Sequence, residues 1–210
     1  SFRTDTMVYY DFNDTTKKYP VRKFYVSKRT NGVWQFDKEY EGPFNQEKTN
    51  NSNACFNTDS TVMYFTRCEP NSKGKTICSI YQTKKGDTGW GVVEKMPETI
   101  NLPDYNSTQP TIGTSLKTGG EVLYFVSDRP EGKGGKDIYY SEYQVKKNLF
   151  KAAKNAGSKI NTVFDEVTPF YDLENKTMYF SSEGWPGLGG LDIFSTVGEL
   201  KEWGEVKNVG

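Results

Sequence analysis

The sequence of 210 residues contains no histidine, and this absence removes several kinds of chemistry. Hydrolases with a serine or cysteine nucleophile paired to histidine need the imidazole as general base, and many zinc sites need it as a ligand. Three scattered cysteines do not make a closed thiolate site. A G-x-x-x-x-G-K-[ST] phosphate-binding loop is also missing. We therefore expect no cofactor and no metal, and catalysis by paired carboxylates is the enzyme chemistry that stays open.

Excess charge and long apolar segments are missing as well. The 27 basic and 27 acidic residues give a net charge of +0, whereas surfaces that bind nucleic acid or anionic membranes are usually basic. No apolar run approaches the ~18 residues of a membrane-spanning helix. We expect no nucleic-acid partner and no direct membrane span.

Helical patterning is nearly absent, while aromatic residues and glycine are abundant. Hydrophobic residues make up only 34% of the chain, but it contains 14 Tyr, 13 Phe and 20 Gly. This composition is typical of short strands joined by tight turns. The one alanine-rich stretch, residues 151–156, is too short to form a stable helix on its own.

A hairpin pattern recurs along the chain. It is clearest at Leu123–Tyr140 (LYFVSDRPEGKGGKDIYY), and it returns at Met178–Phe194 (MYFSSEGWPGLGGLDIF) and at Met63–Tyr81 (MYFTRCEPNSKGKTICSIY). Each copy reads as an aromatic strand, a turn and a second aromatic strand. A second marker has the same period, because three aromatic residues are each followed 11 positions later by an asparagine: Trp34 by Asn45, Trp90 by Asn101 and Phe150 by Asn161.

The spacing of the repeat predicts the fold. The three asparagines recur after 56 and then 60 residues, and a fixed period of this length indicates a repeat architecture. We predict an all-β fold, a β-propeller built of four-stranded antiparallel blades. About four blades fit in the chain, which forms a single domain or a segment of a larger propeller and a longer polypeptide. The blades cover approximately residues 1–45, 46–101, 102–161 and 162–210.

The first of these units is the most divergent, because it lacks the glycine pair of the later turns. We place its four strands at Phe2, Met7–Asp11, Val21–Ser27 and Val33–Phe36, with a long loop at residues 12–20.

The turns of the later hairpins carry an aspartate at a fixed position. Asp137 and Asp192 each stand 12 residues after a phenylalanine, and Thr76 takes this place in the remaining copy. We expect the two carboxylates to accept hydrogen bonds from backbone N–H groups of the turn. The glycine pairs 134–135 and 189–190 are expected to adopt backbone angles that other residues avoid. Metal binding or catalysis by the two aspartates is the alternative.

Two of these hairpins resemble a known group of repeats. The fragments LYFVSDRPEGKGGKDIYYS and MYFSSEGWPGLGGLDIF are similar to the TolB-like, WD-repeat-like propeller repeats of bacterial periplasmic proteins, above all OmpA-family outer-membrane lipoproteins of the Bacteroidota. The MYFTRC…C-x-IY variant fits the same group. The resemblance runs from about Met7 onward, and Thr76 and the irregular first unit depart from it.

The resemblance implies a function as well as a fold. It implies a non-catalytic scaffold in the periplasm that binds other proteins and is associated with the outer membrane. It further implies attachment to the type IX secretion system, and a link to peptidoglycan through a separate domain. A TolB-like role in the cell envelope is another option.

A different function class stays open beside the scaffold. The propeller could bind a glycan or peptide in its central funnel, or accompany a hydrolase, with Asp59, Asp128 and Glu183 as candidate acids. The lining of the funnel distinguishes these functions. Clustered acids and an aromatic platform would favour a ligand or an enzyme, and a mixed or apolar rim would favour a protein partner.

The loops between the second and third strands of each blade are the predicted contact surface. They are the longest regular loops and project from one side of every blade. Their candidate contact residues are Arg129, Lys133, Lys136, Trp185 and Leu188. For Trp185, the alternative is that the indole folds back over its own blade.

The three cysteines divide into a pair and a single residue. Cys68 and Cys78 flank one hairpin turn and face each other if the turn centres on Lys73. Cross-strand neighbours on one face lie within reach of a disulfide, and two reduced thiols are the alternative. Cys55 pairs with neither in this register and is expected to be a packed free thiol.

Overall fold

The computed structural model describes residues 2–10, 18–46 and 49–210, and it describes side chains from residue 22 onward except at residues 37, 47 and 48. Four small antiparallel sheets stand in a ring as the blades of a four-bladed β-propeller. The predicted all-β propeller fold is thus confirmed. The only helical segment among the described residues is a single 3₁₀ turn, Val145–Lys147. None of the helical structure described there is long and apolar enough to cross a membrane.

Each sheet is built from consecutive strands of the chain. The first blade holds β1 (Phe2–Tyr10), β2 (Lys18–Thr30) and β3 (Val33–Glu39). The second blade holds β4 (Asn50–Phe56), β5 (Val62–Pro70), β6 (Thr76–Gly86), β7 (Gly89–Trp90) and β8 (Glu94–Lys95). The third blade holds β9 (Ser107–Thr114), β10 (Glu121–Ser127), β11 (Asp137–Gln144), β12 (Leu149–Phe150) and β13 (Lys154–Asn155). The fourth blade holds β14 (Glu166–Asp172), β15 (Thr177–Ser182), β16 (Asp192–Glu199), β17 (Glu202–Trp203) and β18 (Lys207–Asn208).

The order of strands from the axis outward is the same in the last three blades. The strands β4, β9 and β14 contact one another in chain order and are the innermost strands. The outer strand is split into two short pieces, and both pieces pair with the third strand of their blade.

The asparagine of the repeat binds the third strand in the first three blades. The Oδ1 atom of Asn101 accepts a hydrogen bond from the N–H of Ile80 at 2.8 Å, and its Nδ2 donates to the carbonyls of Ile80 and Met96 at 2.9 and 2.8 Å. Asn161 makes the same pair of bonds to Ile138 at 2.9 and 2.8 Å. The asparagine thus replaces a missing stretch of outer strand, which explains its fixed distance from the aromatic marker.

The first blade differs from its predicted strand positions. Asn45 binds the N–H and carbonyl of Phe24 as Asn101 binds those of Ile80, so β2 is the equivalent of a third strand. The strand β1 pairs with β2 along its whole length and is therefore the equivalent of a second strand. The separate strands predicted at Phe2 and Met7–Asp11 are wrong. Of the predicted loop, residues 18–20 belong to β2, and the part from residue 12 to 17 lies outside the described residues.

The core consists of one apolar cluster at each junction between successive blades. The aromatic markers of the third and fourth blades pack back onto the blade before them. Phe150 lies 5.9 Å from the ring of Tyr64, and Trp203 lies 5.8 Å from that of Tyr124. Full burial of one such side chain stabilises the folded state by roughly 1.5–3 kcal/mol, so these contacts hold neighbouring blades together.

The turn aspartates bind the backbone as expected. Asp192 accepts a hydrogen bond from the N–H of Leu188 at 2.6 Å, and Asp137 accepts one from the N–H of Lys133. Gly189 and Gly190 have φ angles of 117° and 68°, in the left-handed region that favours glycine. Gly134 and Gly135 do not have φ angles in this region, so the prediction of special backbone angles is wrong for them. They allow close packing instead, because a Cβ on Gly134 would stand 2.4 Å from the backbone of Val163.

The cysteines follow the predicted register. Cys68 and Cys78 stand directly opposite each other on β5 and β6 and are joined by a disulfide. Cys55 on β4 is a partly buried free thiol. Burial raises the pKa of this thiol well above its usual range, so it stays protonated at neutral pH.

Candidate functional site

The loops between second and third strands lie at one end of the propeller, together with the connector from the third blade to the fourth. The connector, residues 161–165, runs between the hairpin loops of the last two blades. Lys136 of one loop pairs with Asp165, and a Cβ on Gly184 of the other would overlap Thr162. We call residues 128–136, 161–165 and 183–191 the loop face.

Arg129 is buried beneath this face, so the expectation that it contacts a partner is wrong. Only 7% of its surface is exposed. Its guanidinium donates to the carbonyl of Ile100 at 2.6 Å and lies 4.7 and 5.2 Å from the rings of Tyr139 and Phe125. Burial lowers the pKa of the guanidinium, which nevertheless remains charged at any physiological pH.

Trp185 is also used inside the fold. Its indole N–H donates to the carbonyl of Ile160 at 3.0 Å, and its ring packs on the apolar cluster between the third and fourth blades. Arg67 donates in the same way to the carbonyl of Phe44 at 3.1 Å.

Arg67, Arg129 and Trp185 therefore bind equivalent carbonyls at three successive junctions. The sequence hides this equivalence, because the three residues stand 2, 4 and 5 positions after the phenylalanine of their hairpins.

The other predicted contact residues are exposed. Leu188 is 97% exposed, and the side chains of Lys133 and Lys136 also reach solvent. The structure adds three exposed apolar residues that sequence patterns missed: Val163 at 73%, Phe164 at 53% and Leu191 at 52%. Val163 and Phe164 lie in a connector that has no repeating pattern of apolar residues. The sequence could have indicated them only as two apolar residues outside any predicted strand.

A buried acid holds the connector in place. Glu166 is fully buried and accepts hydrogen bonds from the N–H and hydroxyl of Thr162, at 2.7 and 2.6 Å, and from Ser182 at 2.7 Å. Burial raises the pKa of Glu166, and the nearby charge of Asp137 raises it further. These bonds fix the backbone on both sides of Val163 and Phe164, so the apolar side chains project from a rigid loop.

The central funnel is the second candidate site. A cavity of about 630 Å³ lies against the innermost strands of three blades. Asn53, Gln109 and Thr168 occupy the same bulged position in these strands, with φ angles of 48°, 55° and 52°. The N–H of Gln109 donates to Thr66 at 2.9 Å, and the N–H of Thr168 donates to the side chain of Gln109 at 2.7 Å. Strained residues of this kind often accompany functional sites.

The candidate acids are not brought together around this funnel. Asp59 accepts bonds from the N–H and hydroxyl of Thr61 in the turn between β4 and β5, and these bonds lower the pKa of its carboxyl. Asp128 accepts two bonds from Asn106 at the opposite end of the blades, at 2.7 and 2.6 Å. Glu183 lies exposed on the loop face. Within the described part of the chain, no group of three or more acids and cysteines is placed to hold a metal ion.

Comparison of the sequence with protein-family models finds no match, and comparison with curated proteins finds none either.

Proposed function

We propose that this protein is a non-catalytic scaffold that binds another protein through its loop face. The observation that carries the proposal is the exposure of four apolar side chains, Val163, Phe164, Leu188 and Leu191, at one end of the propeller. Neighbouring exposed apolar side chains with a polar rim mark a protein-binding surface. The rim here is supplied by Lys133 and Lys136 and by Glu183.

The rigidity of the loops supports the same function. A contact loop that is already fixed in the free protein loses little conformational entropy when it binds. Asp192 fixes the backbone beside Leu188, and Glu166 fixes the connector that carries Phe164. The mixed rim and the separated acids favour a protein partner over an enzyme.

The cellular setting of the scaffold is proposed from the resemblance of its repeats. We place it in the periplasm, associated with the outer membrane as part of an OmpA-family lipoprotein. In this setting it resembles the PorE-like component of the type IX secretion system. Its partners are then other cell-envelope or secretion-system proteins, and a separate domain makes the contact with peptidoglycan.

A capture experiment with matched variants tests the scaffold function. The bait is the protein itself, added to crosslinked cell envelopes, and recovered proteins are identified by mass spectrometry. The test variant carries Val163→Asp and Leu188→Asp. The control carries Val145→Asp and Leu116→Asp, because these two residues are equally apolar and exposed (74% and 65%) but lie outside the loop face.

We expect proteins that are recovered with the wild type and the control and lost with the test variant. Secretion-system components among them would support the cellular setting as well. Equal recovery with both variants, or no protein enriched over empty resin, would overturn the scaffold function.

A ligand in the funnel is the second candidate, and the three aligned bulges around the 630 Å³ cavity favour it. Amide and hydroxyl groups beside an aromatic ring suit a glycan or an extended peptide, and Phe170 lines the same cavity. Titration calorimetry with peptidoglycan fragments tests this function. Binding that is lost in Gln109→Ala and kept in the test variant of the loop face would support it, and the absence of heat would reject it for this ligand class.

A further inference from the structure

A cleft of about 560 Å³ lies between the second and third blades, at the end of the propeller opposite the loop face. Its floor is apolar and is formed by the buried side chains of Tyr64, Met96 and Phe150. Asp59 and Lys84 are exposed at its rim. Pockets with an apolar floor and a polar rim, of about 300–1,000 Å³, commonly bind a ligand or a side chain of a partner.

The junction between the third and fourth blades shows what fills this place when it is closed. There the turn after β16 inserts Leu200, whose side chain packs on the apolar cluster of the junction. The N–H of Leu200 donates a hydrogen bond to the hydroxyl of Tyr124 at 2.9 Å. The preceding Glu199 accepts a bond from the N–H of Leu116. One apolar side chain and its own backbone N–H, presented by a turn, therefore complete this junction.

The equivalent turn of the third blade is too long to close the cleft in this way. Tyr139 and Phe194 both stand opposite the phenylalanine of their hairpins and are therefore equivalent. Trp203 follows Phe194 by nine residues, whereas Phe150 follows Tyr139 by 11. The longer turn contains the 3₁₀ segment, and none of the residues of that segment is buried. It stands away from the junction, so no residue takes the place of Leu200.

Tyr64 is the equivalent of Tyr124 and lacks the partner that Tyr124 has. It is only 4% exposed, and none of the described residues makes a hydrogen bond with its hydroxyl. The hydroxyl is not sealed from solvent either, so it opens into the cleft. Burial raises the pKa of this hydroxyl well above its usual range, and the charge of Glu121 raises it further. The hydroxyl is therefore neutral and can accept an N–H, and a ligand that supplies one removes the cost of a buried unpaired group.

We propose that this cleft binds a turn of a partner protein, which inserts one leucine-like side chain between the blades and donates the adjacent backbone N–H to the hydroxyl of Tyr64. The template is the chain's own turn at Leu200, which makes both contacts at the next junction. Leu149 is 44% exposed at the rim and offers a further apolar contact to the inserted side chain. The site is separate from the loop face and from the funnel.

Titration of the whole chain with two small fragments, followed by nuclear magnetic resonance, tests the proposal. N-Acetyl-leucinamide carries the leucine side chain and its N–H, and N-acetyl-N-methyl-leucinamide lacks only that N–H. We expect the first fragment to shift the resonances of residues that line the cleft, with about millimolar affinity. The methylated fragment should bind about 3- to 10-fold more weakly, because it cannot donate to Tyr64.

The variant Tyr64→Phe keeps the ring and removes the hydroxyl. It should bind the two fragments with equal affinity, because the acceptor of the N–H is gone. The loop-face variant with Val163→Asp and Leu188→Asp should distinguish the fragments as the wild type does, so the result does not depend on the scaffold function. Absence of shifts at the cleft, or an unchanged preference in Tyr64→Phe, would overturn the proposal.

Shortening the turn gives an independent test. Residues 144–149 are replaced by Glu-Leu-Lys-Glu, the sequence of residues 199–202, so that the third blade has the spacing of the fourth. We expect this graft to close the cleft, to abolish fragment binding and to raise the midpoint of urea unfolding. A folded graft that binds the fragments like the wild type would show that they bind elsewhere and would also overturn the proposal.

Discussion

At the scale of single residues, a few polar side chains make hydrogen bonds to backbone groups that no neighbouring strand pairs with. Asn101 pairs with the N–H of Ile80 and the carbonyl of Met96 where no strand is present to do so. Arg129 and Trp185 satisfy the carbonyls of the residues that precede two of the repeat asparagines. An unpaired buried polar group costs about 1–3 kcal/mol, so these residues bear on the stability of the fold more than their small number suggests.

Asn101→Ala should destabilise the protein by about 2–4 kcal/mol, because it removes the partner of the buried N–H of Ile80 and the side-chain donor to the carbonyl of Met96. Urea unfolding followed by tryptophan fluorescence measures the loss. Asn208→Ala is the control, since Asn208 is exposed, and should change stability by less than about 0.5 kcal/mol. A loss as small as that of the control would contradict the role given to the repeat asparagine.

Trp185→Ala should lower stability by about 2–3 kcal/mol, because it removes both the indole contact with the apolar cluster and the bond to Ile160. Trp185→Phe keeps most of the packing and should cost about 1 kcal/mol. Equilibrium unfolding of both variants checks the order. If Trp185→Ala unfolds at the wild-type urea midpoint, the tryptophan is not part of the fold and becomes a candidate for partner contact again.

At the scale of elements, the hairpins were predictable and the first blade was not. The hairpins of the later blades are local, and their aspartates and aromatic residues stand at fixed spacing in the sequence. The first blade lacks these markers, and its strands could be aligned only through the bond from Asn45 to Phe24, 21 residues away. The burial of Arg129 escaped prediction for a similar reason, because it depends on a carbonyl of the preceding blade.

Glu166, which holds the connector that carries Val163 and Phe164, should make the stability of the protein depend on pH. The pKa of Glu166 is raised in the folded protein above its ordinary value of 4.5, so the folded state binds this proton more tightly than the unfolded state. The contribution of Glu166 to the free energy of unfolding therefore falls as the pH rises from 4.5 through the pKa of Glu166 in the folded protein. Outside this pH window the contribution does not change. Relative to the wild type, Glu166→Gln should gain stability as pH rises across that window.

Free energies of unfolding of the wild type and of Glu166→Gln, measured from pH 4 to 8, check this expectation. The comparison between the two proteins cancels the titration of all other groups. A difference that is independent of pH, or that shrinks as pH rises, would mean that the folded protein does not raise the pKa of Glu166.

At the scale of the whole molecule, stability should be uneven around the ring. The third blade is covered on both faces, and the fourth is covered on one. Hydrogen exchange measured by mass spectrometry should therefore find β11 better protected than β16, at concentrations where the chain is monomeric. Equal protection of the two strands in the monomer would contradict this ranking.

The asparagine that completes each of the first three blades stands after the last strand of its sheet, in the connector to the next one. A blade therefore cannot be transferred to another protein as its sheet alone. A blade that is moved into another protein must take its asparagine with it, and the residue before that asparagine needs an arginine or tryptophan from whatever follows. Engineered breaks or circular permutations are best placed after Asn101, at residues 102–104, where both halves keep the asparagine bonds that close their blades.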